Sequence, residues 1–131
     1  MGNCGFTIAP CKPADRDITM RNLTQVEDMA LEVLKGGIDW GFETFVGYVP
    51  MLRSTGRVVN TAAYIGHSAV RSWVKGADDS KREATPIEIE QMQTVVRGAM
   101  AAGVVGFVQQ YQPGAQRRRR FAHAVAPGKR C

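Results

Sequence analysis

The sequence predicts an α/β fold in which helices pack over a small parallel sheet of about three strands. Three observations lead there. Strand-like apolar runs alternate with helix-like segments along the chain, the order expected when helical crossovers join parallel strands. The middle run, residues 57–67, is β-rich in its first half and lacks strict alternation, as a strand buried on both faces does. The segment around residue 90 carries a full set of helix start and stop signals. With 131 residues, 44% hydrophobic and 22% charged, the chain is sized for one soluble globular domain.

Each element follows from local chemistry. "MGNCGFTIAPC" reads as the end of a strand entering a tight loop, with Gly2 and Gly5 around Cys4 and Pro10 closing the apolar stretch. Residues 15–20 are polar and read as a connection. In "LTQVEDMALEVLKGG", Val26, Met29, Ala30, Val33 and Leu34 recur at helical spacing. Thr24, with Glu27 three residues on, reads as the N-cap of that helix, and Gly36 and Gly37 as its stop. "ETFVGYVPMLRSTG" is a helix weakened by Gly47 and Pro50 and ended by Gly56.

After the strand at 57–67, "SAVRSWVKG" is a short helix, with Ser68 a candidate cap and Gly76 its end; the polar loop "ADDSKREA" follows. The clearest local signal comes next. Thr85 caps, Pro86 fills the first turn and Glu88 closes a capping box. That helix runs through Ile89, Met92, Val95, Val96 and Met100 to Gly103, and "VVGFV" is the last strand.

Charge is distributed unevenly. The chain carries a net +5, yet residues 1–108 hold 11 basic and 12 acidic side chains, a net of −1. The basic excess sits in residues 109–131, including Arg117, Arg118, Arg119 and Arg120. Taken at face value those arginines could contact phosphates, but the tail has no nucleic-acid-binding motif. Three cysteines, Cys4, Cys11 and Cys131, without a C-x-x-C pair do not form a disulfide framework, which favours a reducing cytoplasm. No signal peptide is visible, and the weakly polar run 99–108 is too short to span a bilayer.

Two residues are candidates for chemistry. Cys4 follows a predicted strand, where a thiol is placed to bind metal or attack a substrate; a small buried cysteine is the alternative. One cysteine cannot specify a zinc site. His67 ends a predicted strand, where a functional role and a hydrogen-bonded histidine at a helix start fit equally. No third group completes a His67–Ser68 triad, so no catalytic residue is assigned.

The strings "GNCGFTIAPC", "LEVLKGGIDWGFETF", "VGYVPMLR", "NTAAYIGHSAVRSWVKG" and "REATPIEIEQM" together resemble an internal stretch of the N-acyl-D-amino-acid deacylases (D-aminoacylases) of the amidohydrolase superfamily, over residues 2–107. The resemblance implies a fragment of a (β/α)8 TIM barrel and zinc-dependent cleavage of the amide bond of N-acyl-D-amino acids. It places Cys4 at the family's zinc ligand in "GNCG", where a thiolate holds Zn²⁺ and the metal acidifies an attacking water. It places His67, of "GHS", near the active-site mouth. On this alignment the family's H-x-D motif falls before Gly2, and its later histidines and catalytic aspartate fall after residue 131. "FVGYVPML" also departs from the more acidic helix usual there. The implied consequence is an isolated chain that is inactive and does not retain zinc, with no specific nucleic-acid or membrane partner.

After "AAGVVGF" the family continues with a Ser/Thr-rich loop and a Pro-Met-Pro-Ser-Arg run, whereas this chain has the arginine-rich tail. Residues 109–131 can be encoded, with a suitable choice among synonymous codons, by a string that reads one base later as SSTSPAHNGDGGLPMPSRLAND, which is compatible with a one-base shift. Residues 1–108 are therefore expected to be barrel fragment, and 109–131 an out-of-frame, disordered basic tail. Two other readings are a small basic nucleic-acid-binding protein acting through Arg117 to Arg120, and a non-enzymatic module that oligomerises through its strand edges.

Overall fold

The computed structural model describes residues 5–56, 58–76 and 82–109. A 3-10 turn, Pro13–Asp15, leads into α1 (Arg16–Val26), which is followed by α2 (Leu31–Gly37) and α3 (Phe45–Ser54). Then come β1 (Tyr64–Gly66), α4 (His67–Lys75), α5 (Pro86–Ala101) and β2 (Gly106–Val108). The strands β1 and β2 pair in parallel, with Tyr64 opposite Gly106, Ile65 opposite Phe107 and Gly66 opposite Val108. The amide of Val105 donates to the Ala63 carbonyl at 3.0 Å and extends the pairing by a step. The α/β expectation therefore holds as a small parallel sheet with helices around it.

The main core surrounds Ile65 and Val70, both almost fully buried. Ala9, Phe42, Phe45, Val49, Met92, Ala99 and Val104 complete it. The rings of Phe42 and Tyr48 lie 4.7 Å apart, and Phe45 meets Tyr48 edge-on at 5.6 Å. A smaller cluster of Met20, Leu23 and Leu34 joins α1 to α2, and Ile8 and Trp40 pack against both clusters. Arg16 ties α1 to this junction. Its guanidinium lies 5.2 Å from the Trp40 ring centre, and its Nη2 donates to the Trp40 carbonyl at 3.1 Å.

The capping box of α5 forms as the sequence specifies. The Glu88 amide donates to Thr85 Oγ1 and the Thr85 amide to the Glu88 carboxylate at 2.7 Å. Arg82 closes on the same carboxylate through both terminal nitrogens, at 2.8 and 2.6 Å. Side-chain hydrogen bonds from Arg82, followed by the Thr85 backbone amide, push the Glu88 carboxyl down to about 2. The predicted stops also appear: Gly76 has φ +58° and Gly103 φ +101°, backbone that suits glycine.

Three expectations are corrected. Residues 15–20 are not a simple connection, because α1 begins at Arg16 and buries Met20 and Leu23. The single helix expected from Thr24 through the 26–34 stripe is broken: α1 ends at Val26, Asp28 takes φ +52°, and α2 starts at Leu31. Thr24 Oγ1 donates back to the Arg21 carbonyl rather than capping. Tertiary packing overrides the local pattern here, since Leu34 alone of the expected stripe is buried, while Val26, Met29, Ala30 and Val33 are exposed. The strand expected over 57–67 is confined to Tyr64–Gly66, with Val58 and Val59 in solvent. Two strands, not three, are paired among the described residues. The α3 helix forms despite Gly47 and Pro50 because Phe45 and Val49 on one face fill the core.

Candidate functional site

The C-terminal end of a parallel strand is where α/β folds collect functional side chains, and β1 runs there directly into α4. His67 is the first residue of α4 and is partly buried. Its ring meets Phe107 of β2 edge-on, with centroids 6.0 Å apart, so the strand pairing sets its place. Gly66 holds the N-cap position, and no side chain caps the helix. Ser68 is therefore not the cap expected from sequence.

Residues 5–9 lie along β1 as a strap rather than as a laddered strand. The Ser68 amide donates to the Gly5 carbonyl at 3.3 Å, satisfying one of the free donors at the start of α4. The Gly66 amide donates to Thr7 Oγ1 at 3.3 Å, and that hydroxyl donates onward to the Ala9 carbonyl at 2.7 Å. The Thr7 side chain thus takes the part of a backbone acceptor, so these residues adjoin β1 without a regular strand ladder. The approach is close enough to demand glycine: a Cβ on Gly66 would overlap the Gly5 carbonyl oxygen and stand 3.0 Å from Thr7 Cγ2. Sequence reading missed Thr7 and Gly66. The only signal was the proximity of each to a singled-out motif.

Cys4 lies outside the described residues, as do Arg117, Arg118, Arg119 and Arg120. The described cysteine, Cys11, is buried and free. Its sulfur lies 3.4 Å from Thr19 Oγ1. Burial pushes its thiol up, with the Asp15 carboxylate acting in the same direction and the Thr19 hydrogen bond opposing, so Cys11 is a weak nucleophile. It lines a groove of about 650 Å³ between residues 6–12, α1 and α4, bordered by Ile18, Leu23, Val26 and Trp73. Lys12 Nζ lies over the Trp73 ring, 5.4 Å from its centre.

A zinc ion needs several ligands converging on one point. Among the described residues no three His, Cys, Asp or Glu side chains come together in that way, so those residues alone do not fit a metal. No helix among them is long and apolar enough to cross a membrane.

Comparison with known proteins adds one finding. The chain is 35% identical over 105 residues to a D-aminoacylase from Alcaligenes xylosoxydans xylosoxydans. The match takes in 80% of this chain and 19% of that protein. It supports a fragment of a hydrolase. The chain spans about a fifth of the length of the curated relative it matches. No family model matches the chain, and no solved structure matches it. Nothing in the comparisons supports nucleic-acid binding through the arginines.

Proposed function

We propose that the chain is a segment of a zinc-dependent hydrolase that splits the amide bond of N-acyl-D-amino acids, giving a carboxylate and a free D-amino acid. The observation that carries this reading is the 35% identity to a D-aminoacylase over 105 residues. In this reading residues 1–108 belong to a (β/α)8 barrel, and β1 and β2 are two of its parallel strands. Residues 109–131 are a basic tail read out of frame. Cys4 supplies a thiolate to the zinc, and His67 stands at the active-site mouth. The partner is a small N-acyl-D-amino acid, with no specific nucleic acid or membrane surface, and the location is cytoplasmic.

The exposed Val105 and Phe107, two residues apart and so on one face of the sheet, suit this reading, in which the rest of the barrel packs over that face. The two-stranded sheet of the described residues leaves strand edges that also suit the reading as an oligomerising module, in which a strand of another molecule pairs with one of them.

The 131-residue chain on its own is inactive in this account, because a single proposed ligand cannot fix a zinc ion. The test is a hydrolysis assay of the purified chain with added zinc and an N-acyl-D-amino acid. The expected outcome is no free D-amino acid above the uncatalysed background; measurable release overturns the inactivity of the isolated chain and not the assignment to a deacylase.

A further inference from the structure

We draw no further inference here: the strongest candidate, the groove of about 650 Å³ between residues 6–12, α1 and α4, joins an apolar wall to the buried thiol of Cys11, and nothing in the structure shows what covers it.

Discussion

The crossover from β1 through α4 and α5 to β2 and the helical pair α1–α2 bury their apolar side chains to very different extents. The crossover closes around Ile65 and Val70, starts its long helix with a complete capping box, and stops both helices on glycines of positive φ. The pair holds together through Met20, Leu23 and Leu34, while Val26, Met29 and Val33 stay in solvent. Local signals and tertiary burial agree in the first region and conflict in the second. Agreement between levels gives a well-specified element; where they conflict, burial decides the outcome.

Truncation separates the two regions most strongly. Ile65→Ala removes a fully buried side chain from the centre of the core and is expected to cost about 2–5 kcal/mol in denaturant unfolding. Val33→Ala, at a position 59% exposed, is expected to change stability by no more than about 0.5 kcal/mol. A large loss at Val33 would mean that the continuous amphipathic helix forms after all.

Next in size is a pair of glycine substitutions. Gly66→Ala pushes a methyl group into the Gly5 carbonyl, where backbone meets backbone, and is expected to cost about 1–3 kcal/mol. Gly98→Ala, in the interior of α5 with open space around its Cβ, is expected to gain about 0.5–1 kcal/mol. Equal effects of the two, read from unfolding midpoints at constant slope, would remove the strap from the account.

The smallest effect is electrostatic. Glu88 has a folded value of about 2 against an ordinary 4.5, so its contribution to stability is fully present above about pH 4.5 and fades as pH falls towards 2. The carboxyl carbon of Glu88, followed by NMR, is expected to titrate near 2. Titration near 4.5 would mean that the bridge to Arg82 is open in solution.

These contrasts explain how much was legible in the sequence. The α5 helix was readable because its caps, first-turn proline and stop lie within one continuous stretch. The end of α4 was readable for the same reason, through Gly76. The α1 helix was missed because its buried side chains number only Met20 and Leu23 in an otherwise polar stretch; its Asp17–Arg21 pair, 2.7 Å apart at i,i+4 spacing, was a helix signal that went unused. The break at Asp28 was hidden by a helical repeat that tertiary contacts leave unused. The position of His67 at a strand end was legible, since β1 ends at Gly66, and its ring lies against Phe107. Thr7 and Gly66 escaped notice because their roles depend on contacts across about sixty residues of chain, 59 in the case of their hydrogen bond.

The most direct test of the central claim is transplantation. Residues 2–107 would replace the matched stretch of the Alcaligenes D-aminoacylase, and hydrolysis of an N-acyl-D-amino acid would be measured on the folded, zinc-supplied chimera. The account predicts that the chimera releases free D-amino acid and that Cys4→Ser abolishes both release and zinc retention. A folded chimera without activity, or one whose activity is untouched by Cys4→Ser, would contradict it.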